Sequence, residues 1–404
     1  MSQPPYDPND PAVLENPWPV YAQMRERCPV HLHQDATHPF YTVFRAEDVR
    51  GVSSDAKVWS SRYSNAPVYM KAVGLMQDGQ DHTDFRRLFS PRLMPQAVEK
   101  YRGLVEDIAN GLIDDMLLKQ RGCLHDDFAC PLPVKLIAHL LGIPAAENLR
   151  FKQWSDELAE LGFGQDSARY AQVYQEVAAF FSACLDQRRR ALASAGIAEP
   201  GSEHLGGPIP DDFISLFLVS RYQGRRLSEH EMQFTLIGLM IGGNETTTSL
   251  ITNCLWRLLE APQRWEQLRR DPALIEVAIE ESLRLDSPTL GMWRTNLCPV
   301  NLHGVEIPTK SKMMMAYGAA NHDPAVFERP EEFRLDRPLP LLRRHLAFGT
   351  GPHTCPGAPL SRLEARIALR LFAERLPRLR LDGPSTRIKP FNFWGRRKMP
   401  VAWS

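Results

Sequence analysis

The chain has 404 residues, of which 43% are hydrophobic and 24% charged, as in ordinary globular proteins. Its 48 Lys and Arg balance 48 Asp and Glu, which excludes a generally basic nucleic-acid binder and a long acidic tail. The longest apolar run, 234–241, contains Thr235 and Gly238 and falls far short of the ~20 residues that a bilayer needs, so no membrane partner is expected.

Residues 1–10 are polar and proline-rich, without the basic start and apolar core of a signal peptide, and this predicts a cytoplasmic protein. Short strand patterns follow at 29–32 and 40–43. Apolar residues at three- and four-residue spacing predict helices over 95–119, 168–193, 229–259, 272–285 and 359–376. More strand signals lie within 292–315 and at 379–381 and 401–403. The polar stretch 195–210, AGIAEPGSEHLGGPIP, reads as an exposed loop, because helical patterns continue on both sides without a change of composition; a divide between two domains is the alternative. The result is a mainly α chain with a small β-rich part. Phosphate-loop and dinucleotide signatures are missing. The seven cysteines include no CxxC pair and are odd in number, so no disulfide is expected.

One cysteine stands apart. Residues 348–357 read FGTGPHTCPG, with three glycines and two prolines around Cys355 and a helical pattern starting near Pro359. Glycine permits tight turns and close approach to a ligand. A cysteine before a helix start has its thiolate favoured by the helix dipole and free N–H groups. A rigid loop presenting one thiolate suits a nucleophile or an axial metal ligand.

The segment resembles the haem-binding loop of cytochromes P450, FxxGxxxCxG, matched by Phe348, Gly351, Cys355 and Gly357. The resemblance implies haem b (protoporphyrin IX iron) with Cys355 on the metal, and Phe348 and Gly349 against the cofactor. Three other segments agree in order. Residues 242–247, GGNETT, sit in the helical pattern at 229–259, where a glycine pair costs stability and Thr246 reaches back to Gly242. By resemblance, Glu245 and Thr246 are the acid–alcohol pair of the oxygen-binding helix. Thr246 hydrogen-bonds the bound dioxygen, and Glu245 relays protons. Residues 281–284, ESLR, place Glu281 and Arg284 on one helix face. With Arg337 they resemble the family's buried charge network, a structural role. Residues 82–87, HTDFRR, put His82 and Arg86 on one face. Together with Arg294 and His353 they match the donors that hold haem propionates, for which Arg is chemically suited.

The resemblance covers nearly the whole chain and implies one cytochrome P450 domain over 1–404, a single large helical domain with a small β-rich part. Two departures are visible. Residues 78–81 read DGQD where relatives usually carry prolines, and Ser361 replaces a common alanine. Neither is expected to touch the chemistry. Substrate positions carried over from the family are Tyr69, Val73, Leu239, Met240, Gly243, Thr289, Leu290, Met292 and Phe393. They are mostly apolar and aromatic, which favours a neutral hydrophobic small molecule such as a terpenoid, steroid or aromatic. The chain shows no flavin, nicotinamide or iron–sulfur segment, so the resemblance implies a separate iron–sulfur ferredoxin and reductase. Arg343, Arg344, Arg362, Arg366, Arg370, Arg87 and Arg92 form the candidate basic patch for that donor.

The expected function is a monomeric monooxygenase that uses O2. A peroxide-driven peroxygenase and a non-catalytic haem sensor are the alternatives. Neither needs the pair Glu245–Thr246.

Overall fold

Ser228 and Glu231 set the start of the longest helix among the described residues. The Glu231 N–H donates to the Ser228 hydroxyl at 3.2 Å, and the Ser228 N–H donates to the Glu231 carboxylate at 2.8 Å. This reciprocal cap satisfies two donors that the first turn leaves free. The computed structural model describes residues 6–34, 36–71, 73–162, 166–388 and 390–403.

In chain order the helices that build the site are α1 (Gly79–Arg87), α2 (Arg102–Leu117), α3 (Pro131–Leu141), α4 (Asn148–Leu161), α5 (Ser167–Ser194), α6 (Glu229–Leu259), α7 (Leu274–Leu285) and α8 (Ala358–Arg375). Helix α6 is the central one, and its second half is buried almost without interruption from Thr247 to Leu255. Four of the five helices expected from periodicity lie within a few residues of their predicted bounds. The fifth, 95–119, divides into Pro95–Val98, a 3₁₀ turn at Glu99–Tyr101 and α2. Helix α3 (with Leu132, Val134, Leu136, Ile137, Leu140 and Leu141 all buried) was not predicted: it is short and mostly apolar, and Lys135 and His139 alone form its narrow exposed stripe.

One five-stranded sheet stands beside the helices: β1 (Val30–His33), β2 (Phe40–Val43), β3 (Trp59–Ser60), β4 (Met292–Asn296) and β5 (Lys312–Met315), in the order β1-β2-β5-β4-β3. β5 runs parallel to β2 and antiparallel to β4, with Met313 opposite Arg294. Near the C-terminus, β6 (Arg396–Lys398) pairs with Thr386–Arg387. One apolar cluster runs from Phe85 on α1 through α2–α8 and reaches Trp403. A second lies between the sheet and the helix Ala46–Ser54.

The stretch 195–210 is a loop with a 3₁₀ turn at Ser202–His204, and Ile209 buries against Leu192 of α5 and Val219. The loop is therefore fastened to its own neighbours. All seven cysteines are free. Among the described residues no helix is long and apolar enough to cross a membrane.

Candidate functional site

Cys355 lies in a loop that glycine shapes. Gly349 and Gly351 have φ of 67° and 72°, in the left-handed region that side chains disfavour. A Cβ on Gly351 would also meet the Ser53 carbonyl oxygen at 2.9 Å, so the helix Ala46–Ser54 leaves room only for glycine. The Cys355 N–H donates to the Phe348 carbonyl at 2.9 Å and closes the loop. Backbone N–H groups of Gly357 and Ala358 face the sulfur, and Arg86 and Arg362 add positive charge. Burial nevertheless pushes the Cys355 thiol up. The expected gain from the helix start is outweighed, so a coordinated metal is what would make this sulfur a thiolate.

Two charge networks grip the loop. Glu281 and Arg284 are fully buried on α7 and bond through two N–H···O contacts of 2.8 and 2.9 Å. Arg337 joins Glu281 at 3.1 Å, and Arg284 also donates to the carbonyls of Asn321, Pro330 and Glu332. Asn321 in turn accepts from the Leu346 N–H at 2.7 Å, just before the cysteine loop. The second network escaped the sequence reading. Glu280, also fully buried, binds Arg362 of α8 and His345, and hydrogen bonds from both, with the charge of Arg362, hold its carboxyl down at about 2 despite burial. Arg362 stacks on the Phe348 ring at 4.6 Å.

Beside the loop, three nitrogen groups converge; among the described residues no carboxylate lies within ion-pair distance of His82 or Arg294, and His353 has only Asp78, at 3.6 Å. His82 of α1 stacks on His353 with ring centroids 4.0 Å apart. The Nε2 atoms of both are buried and lack a hydrogen-bond partner. Burial pushes His82 down to about 4, and His353 and Arg86 repel its charged form. Arg294 on β4 is buried and, among the described residues, donates only to the neighbouring Trp293 carbonyl; burial lowers its pKa as well. Arg86 donates to the carbonyls of Pro352 and Thr354 in the loop. Orphaned buried donors next to a buried cation ask for an anion. Together with one cysteine under backbone N–H groups, this set fits haem b, whose two carboxylates such donors would hold.

The loop's departure at Asp78 does reach this chemistry, contrary to expectation. Asp78 accepts from the Ser60 hydroxyl and the Ser61 N–H, and its carboxylate lies 3.6 Å from His353 Nε2. Ser361 makes only a local bond to the Ala358 carbonyl.

Helix α6 presents a cleared face. Gly238 and Gly242 are exposed in the middle of this largely buried helix, and Thr246 follows at the same spacing, half-buried. The Thr246 hydroxyl donates to the Gly242 carbonyl at 2.8 Å. Glu245 is buried, and burial pushes its carboxyl up to about 7. It accepts from Ser249 at 3.4 Å and faces Arg397 of β6 at 3.4 Å. Arg397 also lies within 3.4 Å of Asp156 and Glu160 on α4, and Lys152 pairs with Asp156. Glu160 is half exposed, so polar groups link the surface to Glu245. Nothing in the chain's local pattern marks Arg397; a C-terminal strand brings it there.

The expected substrate positions divide. Leu239 is half-buried beside the cleared face, whereas Met240 is fully buried in the main core. Gly243 has a packing role: a Cβ there would meet Ile137 of α3 at 2.9 Å. Thr289 bridges to Phe393, and both are buried. Leu290 turns toward Gly318 and Tyr21. Met292 packs with the sheet's core, and Val73 is half-buried. Tyr69 is 56% exposed and lines an open cavity of about 380 Å³ with Arg62, Tyr63, Met70, Lys71 and Gln77.

The candidate basic patch is interleaved with acid. Arg343 and Arg366 face Glu276, Arg370 faces Glu106, Arg362 faces Glu280, Arg92 faces Asp211 and Arg87 faces Asp84. Among the described residues, no carboxylate lies within ion-pair distance of Arg344 or of its neighbour Arg50, which donates to the Arg344 carbonyl.

Residues 135–377 match the family model described as cytochrome P450. The chain is 30% identical to the biotin biosynthesis cytochrome P450 of Bacillus subtilis, with 96% of this chain and 97% of the relative covered. It is 31% identical to the cytochrome P450 monooxygenase PikC of Streptomyces venezuelae, with 96% and 91% covered. Its fold is similar to that of P450BioI in complex with an acyl carrier protein ligated to hexadec-9Z-enoic acid, at a TM-score of 0.85 and 28% identity over 97% of this chain and 100% of that one. It is also similar to CYP109E1 of Bacillus megaterium in complex with testosterone, at a TM-score of 0.81 and 28% identity over 96% and 99%.

Proposed function

Since the chain belongs to the cytochrome P450 family, the haem b monooxygenases, we propose that it inserts one oxygen atom from O2 into a neutral hydrophobic small molecule, with electrons from a separate ferredoxin and reductase. Haem held by a thiolate supplies the oxidising chemistry. The protein supplies the ligand, the donors, the proton and the pocket.

Cys355 is the metal ligand. His82, Arg86, Arg294 and His353 hold the cofactor's carboxylates. A carboxylate on His82 and His353 raises their basicity and satisfies the two buried Nε2 atoms. Glu281, Arg284 and Arg337 keep the loop in place, with Glu280 and Arg362 as a second brace.

Glu245 and Thr246 deliver protons. The observation that carries this reading is the buried Glu245 carboxyl at about 7, next in sequence to a hydroxyl on a glycine-cleared face. An acid near neutral pKa can both give and regain a proton at working pH. Arg397 stays charged and holds the carboxylates of Glu160, Asp156 and Glu245 close together, marking the polar route from the surface along which Glu245 regains its proton. A peroxide-driven enzyme or a sensor has no use for this path.

The seven free cysteines suit a reducing cytoplasm. Arg50 and Arg344 lie next to the cysteine loop and are the cations left over to meet an acidic ferredoxin. Relatives bound to a fatty acyl chain on a carrier protein and to testosterone bracket the substrate's size and polarity. A steroid-like or acyl substrate is therefore the first to try.

The test is a visible-spectrum titration of the ferric protein with terpenoids, steroids, alkylated aromatics and fatty acids. A saturable change from low to high spin with one neutral class supports the reading. No change with any neutral class, the haem being thiolate-bound, counts against it.

A further inference from the structure

Lys312 is a buried cation in the sheet with no acid beside it. It sits on the central strand β5 and is 1% exposed. Among the described residues no carboxylate lies within ion-pair distance. Burying an unpaired ammonium is costly, so the site needs another reason for it.

Its contacts give one. The Lys312 ammonium donates to the carbonyl oxygens of Tyr63 and Ser64, at 3.1 Å for the latter, and lies 4.8 Å from the centre of the Tyr69 ring. The next carbonyl, of Asn65, accepts from the Trp293 N–H on β4 at 3.1 Å. Three consecutive carbonyls of this turn are thus bound to the sheet. Ser64, between them, is held at φ 83°, a conformation that a residue with a side chain avoids unless its surroundings impose it. The Tyr69 hydroxyl donates to the Lys310 carbonyl just before β5. Residues 61–71 join β3 to the segment before α1, which carries His82 and Arg86, and they line the cavity of about 380 Å³.

We propose that Lys312 is the positioning residue for the loop 61–71, clamping it to the sheet and thereby setting the shape of the substrate entrance that its side chains line. This rests on reading the loop as part of the pocket.

The clamp depends on pH. Burial, together with the repulsion of Arg294 across the β4–β5 pair, brings the Lys312 ammonium down to about 7. Arg62 and Lys71 are the other cations on the loop, and neither is a partner. On the same face of β5, Met314 packs with Phe40 and Trp293, so that side is apolar. Opening the loop would hydrate the ammonium and return it to its ordinary range near 10.5. The open loop then binds more protons than the closed one above pH 7. Rising pH therefore favours closure, and falling pH favours opening.

Hydrogen exchange of the holoenzyme tests this without any substrate. After correction for intrinsic rates, protection of amides in 61–71 should rise about tenfold from pH 6 to pH 8, while β2 stays unchanged. Lys312→Met and Lys312→Arg should abolish that dependence, because neither titrates there. Lys312→Met should also open the loop at least about fivefold more often at pH 8, having left two carbonyls without donors. Protection that does not vary with pH in the wild type would overturn the proposal, even if both variants misfolded. So would a pH dependence that survives in a folded Lys312→Met. A failed substrate titration beside the expected exchange pattern would count against the pocket reading alone.

Discussion

Arg397 Nη2 lies 3.4 Å from a carboxylate oxygen of Glu245, although one residue is on a C-terminal strand and the other in the middle of the longest helix. The pair joins the proposed proton donor to the surface. Arg397 favours the charged form of Glu245, while burial and Asp156 oppose it. Removing the cation in Arg397→Gln should therefore raise the Glu245 pKa above about 7. Infrared difference spectra, with Glu245→Gln to identify the band, should show the protonated carboxyl persisting to higher pH. Turnover limited by proton delivery from Glu245 should then fall off at a higher pH in the variant than in wild type.

The same carboxyl fixes the sign of a stability effect. Glu245 is at about 7 in the folded chain against 4.5 ordinarily, so between these values the folded state holds more protons than the unfolded one. Stability is lost as pH rises through that window, and the loss is complete above pH 7. Glu245→Gln removes the titration. Its stability relative to wild type should improve by up to about 3 kcal/mol between pH 4 and pH 8, read from denaturant midpoints. An equal effect at both pH values would argue against a strongly raised Glu245.

Glu281 compensates two buried arginines at once, Arg284 and Arg337. Glu281→Gln should cost about 3–5 kcal/mol, because both guanidiniums stay buried without their anion. The loss should appear as a lower melting temperature and as haem that no longer carries a thiolate signature, since Asn321 links this network to Leu346 before the cysteine loop.

Arg294 should give effects of opposite sign in two states. It is buried, and among the described residues no carboxylate lies within ion-pair distance of it. Arg294→Leu should stabilise the haem-free protein by about 1–3 kcal/mol and weaken haem retention at least about tenfold. Melting curves with and without haem, and transfer of haem to an acceptor protein, measure both. A variant destabilised equally in both states would show Arg294 to be a plain structural residue.

The cysteine loop was legible because its information is local: glycines, prolines and Cys355 lie within ten residues, and α8 follows directly. Glu281 with Arg284 was legible as one helix face. The brace Glu280–Arg362, the pair Glu245–Arg397 and the clamp from Lys312 to residues 63 and 64 were not, since each joins distant parts of the chain. Side-chain direction was equally hidden. Gly243 reads as pocket lining by position, yet it makes room for Ile137, and Leu290 turns toward Gly318. The arginines near α8 read as a docking face until their acidic neighbours Glu276, Glu106 and Glu280 are seen.

Central to the proposed function is that Glu245 and Thr246 pass a proton to the oxygen chemistry of the haem that Cys355 would hold. The most direct measurement is product formed per electron pair consumed by Thr246→Ala and by wild type, using the compound found by spin-state titration and a competent ferredoxin pair. The account predicts that electrons still flow in Thr246→Ala while product per electron pair falls about tenfold or more and hydrogen peroxide rises in its place. Wild-type coupling in that variant would contradict it.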